Sequence, residues 1–251
     1  MGSFAISVAV FTCIFAGALA GIALRRNLPL HHLTGDSKDS LRLGMGLVGT
    51  MAALLLSLLV ASAKSSYDAQ SAQVTQLAAS VALLDRFLAL YGPESKEARD
   101  TVREEAIRVV DQMWSKDGTR SSRLASSSAV AAPLYAQLQS LSPKTDRQRT
   151  LQSQALSTAT DIAKIRLLMY EQATVGISTP LLVALVVWLT ISFASFGITS
   201  PYNATVVGGF FLAALSVSSA IFLILEMYNP YAGMIQISDA PLRAALAQLG
   251  Q

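Results

Sequence analysis

Four apolar runs, Phe4–Leu24, Leu43–Ala63, Ile177–Ile198 and Ala204–Leu225, are arranged as two pairs around a long polar stretch. None of the four contains Asp, Glu, Lys or Arg. Each has about the 20 residues that a helix needs to cross a hydrocarbon core of ~30 Å. Backbone groups find no water there and must bond within their own segment, which selects helices. The pattern predicts an all-α integral membrane protein. It has four transmembrane helices and a helical extramembrane bundle continuous with the second and third spans. The expected divisions are a first transmembrane pair (1–63), the bundle (64–175), a second transmembrane pair (176–226) and an interfacial tail (227–251).

The polar stretch changes period but not type. Val74, Leu77, Val81, Leu84, Leu88 and Tyr91 step alternately by three and four, a heptad seam. No breaker lies between Leu54 and Tyr91, so this helix is expected to begin inside the second span. Gly92-Pro93 ends it, and Pro93 suits the first turn of the next helix, which runs to about Trp114. Ala98, Val102, Ala106, Val109 and Met113 would form its inner face. A Ser-rich stretch, 115–128, precedes a short helix from Pro133 to Leu141. Ser142-Pro143 reads as the start of the next helix, whose seam is Leu151, Ala155, Thr158, Ile162, Ile165, Met169 and Gln172. With no breaker before Gly176 and Pro180, that helix is expected to run into the third span. The seams suit a helical hairpin within one chain, packing between subunits around an axis, or both. The tail, with Leu242, Leu246 and Leu249 on one helical face, would lie at the interface or fold back onto the bundle.

Only 14% of the residues are charged, against about 25% in soluble domains. The net charge of +3 comes without a dense basic run, which excludes a nucleic-acid partner. Nothing basic precedes Phe4, and Arg25-Arg26 follows the first run as a stop-transfer flank, so that run reads as a retained span rather than a signal peptide. Near the membrane, Arg25, Arg26, Lys38 and Arg42 in the first loop stand against Lys64, Lys164 and Arg166 in the middle segment. This favours a cytoplasmic first loop and an external bundle.

Candidate chemistry is sparse. Cys13 is a lone cysteine inside the first run, a small residue facing lipid or a neighbouring helix. His31 and His32 stand together without metal-ligand spacing, so no metal and no cofactor is expected. Gly44-Met45-Gly46-Leu47-Val48-Gly49 fits G-x-G-x-x-G, but it opens a membrane span instead of following a strand. Gly44, Gly46 and Gly49 read as helix-packing positions. Asn203-Ala204-Thr205 fits a glycosylation sequon, yet the tight turn makes Asn203 a helix cap. Asn229 and Pro230 mark a second structural turn, since Pro230 stops the fourth helix behind Glu226. The spans hold no ionisable residue, which disfavours proton coupling. Their polar residues are hydroxyls. Thr50, Ala53, Ser57, Ala61 and Lys64 share one face of the second span at helical spacing. That stripe is either a pore lining with a cationic mouth or a helix–helix interface.

Ala61-Ser62-Ala63-Lys64-Ser65-Ser66-Tyr67-Asp68, Asn203-Ala204-Thr205-Val206, and Phe222-Leu223-Ile224-Leu225-Glu226 through Asn229-Pro230-Tyr231 to Ile237-Ser238 and Pro241-Leu242 carry a resemblance over nearly the whole chain. By these residues the chain resembles the bacterial bestrophin-like membrane proteins, with a more distant likeness to bestrophin anion channels. The resemblance implies a multi-pass protein of the bacterial inner (plasma) membrane. It further implies an oligomeric anion channel with four spans per subunit, a pore lined by the second span, and cytosolic termini and middle domain, opposite to the charge balance. Bestrophins also carry an aromatic and aliphatic neck on the second span and an acidic calcium clasp after the last. Here the second span has no aromatic residue, and only Glu226 and Asp239 are acidic after Leu225.

Two functions remain open. One is a homo-oligomeric channel, conducting small anions that Lys64 concentrates at its mouth. The other is a non-conducting scaffold or sensor whose bundle binds a partner. Either would contact membrane lipid and further copies of the chain. A membrane enzyme has no catalytic constellation behind it.

Overall fold

The computed structural model describes residues 2–27, 35–114, 131–174, 176–231 and 233–249. His31, His32 and the Ser-rich stretch 115–128 lie outside the described residues. Among those described are eight α-helices: α1 (Ser3–Asn27), α2 (Gly35–Tyr91), α3 (Lys96–Met113), α4 (Ala131–Ser140), α5 (Asp146–Thr174), α6 (Thr179–Thr199), α7 (Ala204–Met227) and α8 (Ala240–Gln248). A 3₁₀ turn, Pro93–Ser95, precedes α3, and no strand occurs among these residues. Helices α1, α2, α6 and α7 are long and apolar enough to cross a membrane. The chain divides into two compact units: Met1–Ser66 with Gly176–Tyr228, and Tyr67–Val175 with Asn229–Gln251.

In the first unit α1 packs on α6 through small residues. A methyl group at Gly21 would collide with the Ala194 carbonyl oxygen, and one at Gly197 with the Ala18 carbonyl oxygen. At Gly17 it would come within 2.8 Å of the Thr190 side chain. Glycine therefore lets the two backbones approach, the usual basis of helix association in lipid. Around this seam Ile14, Ala18, Leu185 and Ile221 are fully buried. Phe11 and Phe15 stack on each other and meet Phe211 of α7 edge-on, with centroids 5.4–5.7 Å apart. Several span hydroxyls bond within their own helices, as Thr190 does to the Val186 carbonyl (2.7 Å) and Ser218 to that of Leu215 (3.1 Å), whereas the buried Ser192 hydroxyl has no such partner.

Helix α2 is uninterrupted across its 57 residues and contributes to both units. The expectation of a helix continuous into the third span needs correcting. Helix α5 ends at Thr174, residues 176–178 are not helical, and α6 starts afresh at Thr179 behind an extended Ser178. Pro180 has no N–H and would clash with the carbonyl of Gly176, while Gly176 itself disfavours helix. The predicted start of α5 also moves. It lies at Asp146 rather than Pro143 because Thr145, not Ser142, supplies the cap: its hydroxyl accepts the Gln148 N–H (3.2 Å) and the Gln148 side chain accepts the Lys144 N–H (2.8 Å). This is a close variant of the capping box.

The second unit is a helical bundle around its own apolar core. Val74, Leu77, Leu84 and Leu88 of α2 are buried against Ala98, Val102, Ala106 and Val109 of α3 and Ala155, Ile165 and Met169 of α5. Gly92, at φ 128°, makes the corner between α2 and α3, a conformation that favours glycine. The Ser95 hydroxyl closes this corner on the Leu88 and Gly92 carbonyls at 2.6 and 2.8 Å. Arg99 then bridges back to buried Asp85 with two parallel bonds of 2.7 and 2.9 Å, and this bond raises the guanidinium's pKa. One turn apart on α5, Gln148 donates to the Tyr91 carbonyl (3.1 Å) and Gln152 to those of Leu138 and Leu141 (2.8 and 2.9 Å). Two helix C-termini are thereby capped by neighbouring side chains.

Two stability predictions follow from these contacts, both read as melting temperature in detergent. Gly21→Ala should lower stability by ~1–3 kcal/mol through overpacking, whereas Gly209→Ala, where an added methyl meets nothing within 4 Å, should leave it level or raise it. Arg99→Met should cost ~3–5 kcal/mol, because it strands a buried carboxylate. An unchanged melt for either Gly21→Ala or Arg99→Met would contradict the packing described.

Candidate functional site

Within the first unit α2 has two unlike faces. Ala52, Leu59 and Ala63 are buried in the core shared with Ile14, Leu185 and Ile221. On roughly the opposite side of the helix, Thr50, Ala53, Ser57, Ala61 and Lys64 are all exposed. Of the four span-length helices α2 is the least covered: 11% of its most apolar stretch is buried, against 22–33% for the others. The hydroxyls on the stripe are turned inward along the helix. Thr50 donates to the Leu47 carbonyl (2.7 Å) and Ser57 to that of Ala53 (2.9 Å). They present lone pairs outward, and Lys64 is the charged group at the end of the row.

Leu54 belongs to this stripe although its chemistry does not announce it. It follows Thr50 by four residues and precedes Ser57 by three, and it is 72% exposed. A search for small and polar residues passes over it. The signal that finds it is helical spacing alone. Leu54 is therefore a bulky apolar side chain among smaller ones, and Leu47 and Leu43, 65% and 78% exposed, continue the same row toward the start of α2.

Among the described residues, an added methyl at Gly44, Gly46 or Gly49 meets no atom of another element within 4 Å. The close helix approach inside the chain is at Gly17, Gly21 and Gly197 instead. Asn203 accepts the Val206 N–H at 2.8 Å, the geometry of a helix cap. Cys13 is exposed on α1. Ser62 and Tyr228 join hydroxyls at 3.0 Å, tying α2 to the end of α7.

In the second unit, Asn229 and Pro230 open a hook that folds the tail onto the bundle. The Pro230 carbonyl accepts the Ile237 N–H at 2.7 Å. The Ile237 carbonyl in turn accepts the indole N–H of Trp114 at 2.8 Å. Tyr231 meets the Trp114 ring edge-on at 5.8 Å, and Tyr67 donates to the Gln236 carbonyl at 3.4 Å. Leu242 and Leu249 then join the bundle core.

The same unit holds a half-open cavity of about 530 Å³ between α2, α3, α4 and α5, with Leu242 of α8 at its edge. Its polar members include Glu105 and Arg166, both largely buried. Burial pushes the Glu105 carboxyl above its usual range, against the pull of Arg108 and Arg166. Burial likewise lowers the Arg166 guanidinium, which Glu105 supports and Arg108 opposes. No group of three or more His, Cys, Asp and Glu side chains among the described residues is placed to hold a metal ion.

The family described as Bestrophin-like domain matches residues 12–242 of the chain. No curated protein and no solved structure matches it.

The hook yields one prediction. Trp114→Phe keeps most of the ring contact but removes the indole donor, so it should cost ~1 kcal/mol. Hydrogen exchange at 233–249 should speed up in this variant while that of α3 stays slow. Unchanged exchange in the tail would mean that the indole bond does not hold it.

Proposed function

The chain belongs to the bestrophin-like family, and we propose that it is a homo-oligomeric membrane channel that conducts small anions through a pore lined by α2. The observation that carries this reading is the exposed stripe Thr50, Ala53, Leu54, Ser57, Ala61 and Lys64 on a helix whose opposite face is buried in its own chain. A membrane helix with one face of small and hydroxyl residues left uncovered suits neighbours of its own kind around an axis. Gly44, Gly46 and Gly49, open within the chain, would let adjacent copies approach. Lys64 would raise the local anion concentration at one end of the row. Leu54 would form the narrow apolar point, where a pore gates by dewetting. Membership of this family and four span-length helices support the membrane setting, which we assign to the inner (plasma) membrane of a bacterium. Asn203 and the Asn229-Pro230 turn serve the fold in this reading, not conduction.

Purified protein in planar bilayers tests the proposal. An anion-selective current is expected. Lys64→Glu should move the reversal potential toward that of cations, and Leu54→Ala should raise unitary conductance severalfold. Gly46→Leu should reduce the oligomer seen by mass photometry. No current at any voltage or salt would favour the non-conducting scaffold. Current with unaltered selectivity in Lys64→Glu would remove that residue from the mouth.

A further inference from the structure

The bundle cavity is an apolar site whose charges are already engaged with one another. Its volume of about 530 Å³ falls in the ~300–1,000 Å³ range of small-molecule sites. Leu77 and Leu84 of α2, Val109 of α3, Ile162 of α5 and Leu242 of α8 bring hydrocarbon to it from four helices. Two charged side chains stand in the wall, Glu105 and Arg166. Glu105 meets Arg108 at 2.7 Å and Arg166 at 3.8 Å, and Arg166 holds a further interaction besides. An incoming anion would compete with Glu105 for the guanidiniums, and a cation would compete with them for Glu105. Either would leave water for a wall that disfavours ions. Burial raises the Glu105 carboxyl and lowers the Arg166 guanidinium, both toward the uncharged form.

Uncharged polar groups line the open side of the cavity. Tyr135 and Gln139 stand exposed one turn apart on α4, and Thr160 is exposed on α5. The Thr160 hydroxyl donates to the Leu156 carbonyl (2.9 Å) and so presents lone pairs, whereas the Gln139 amide can both donate and accept. A hydroxyl head among these three would give and receive a hydrogen bond without shedding a charge's hydration.

We propose that this cavity binds an uncharged amphipath, a medium-length hydrocarbon body carrying one hydroxyl head. The body lies along Leu77, Leu84, Val109 and Ile162, and the head sits among Tyr135, Gln139 and Thr160. The site is wholly within the second unit and does not depend on whether the chain conducts. Such a ligand fills space between α2, α3, α4 and α5 as a core side chain does, so its binding stabilises the bundle.

The test uses the full chain in phosphatidylcholine nanodiscs and a diazirine-bearing 1-decanol, with labelled peptides mapped by mass spectrometry. Saturable labelling is expected on α4 and α5 residues that line the cavity, such as Leu134 and Ala163. Excess decanol should suppress it. Decanoate and decylammonium at equal concentration should not, at about pH 8.5, where both are ionised. Tyr135→Phe with Gln139→Leu removes hydrogen-bonding partners of the head at exposed positions, so cavity labelling should weaken about fivefold. Ala163→Phe should abolish it by filling the space. If that variant fails to fold by circular dichroism, the three-ligand competition on the unaltered protein still decides. Label confined to α1, α6 and α7, or cavity label that never saturates, would overturn the proposal, because it reports probe partitioned in lipid. Equal competition by either ion would overturn it too, since the cavity would then accept charge. Undiminished labelling in the double variant would overturn the assigned position of the head.

Discussion

Close backbone approach at Gly17, Gly21 and Gly197 is the contact on which the apolar unit depends. Between helices in lipid, burying a leucine gains little, because acyl chains solvate it as well as another helix does. Association must come from dense packing of small residues. Ala18 and Ala194 lend their carbonyls to that seam, and any side chain at Gly21 or Gly197 would push the helices apart. With α1 fixed on α6, the aromatic group of Phe11, Phe15 and Phe211 brings in α7. Helix α2 joins through the face of Ala52, Leu59 and Ala63, with Leu55 and Leu56 packed beside it and Ser62 bonded to Tyr228. The asymmetry of α2 is thus a consequence of how the other three spend their surfaces on each other.

The other unit is held by different forces. Burial of leucine and valine from water drives it, and its polar bonds settle which helix ends where. Gln148 and Gln152 each quench carbonyls that terminal turns leave open. Arg99 and Asp85 fix the corner at Gly92. The tail is tied by bonds from Tyr67 and Trp114 to consecutive carbonyls, those of Gln236 and Ile237. Several residues that carry the family resemblance, among them Tyr67, Pro230, Tyr231 and Ile237, meet at this hook. Their shared role is local: they hold the tail to the bundle.

Periodicity made much of this legible. The seam Val74–Tyr91 and the inner face Ala98–Met113 are buried in the bundle as their spacing demands, since a heptad needs no knowledge of its partner to declare its face. Ends were harder. The T-x-x-Q cap at Thr145 and Gln148 competes with the Ser-Pro start at Ser142, and the hydrogen bonds decide between them. Gly176 and Pro180 lie only four apart, enough to break a helix that hydropathy alone carries onward. Gly17 and Gly21 sit at the i, i+4 spacing of close-packed membrane helices, and both pack against α6. The cavity ion pair and the Trp114 bond join residues 61 and 123 positions apart, which no local pattern encodes.

The exposed stripe on α2 constrains what a pore there could do. Thr50 and Ser57 direct their hydrogens to their own helix, so the row faces outward with acceptor oxygens and methyl groups. Acceptors repel an anion weakly and do not replace its hydration. In the proposed channel, anion preference must therefore come from Lys64 acting over distance. That field decays over ~8 Å at physiological ionic strength. It governs how often an anion arrives, and it does not strip water from one already inside. Passage past Leu54 would then occur with the hydration shell retained, which makes the width at that residue, rather than ligation by the wall, the determinant of which anions cross. A channel of this kind should rank anions by hydrated size.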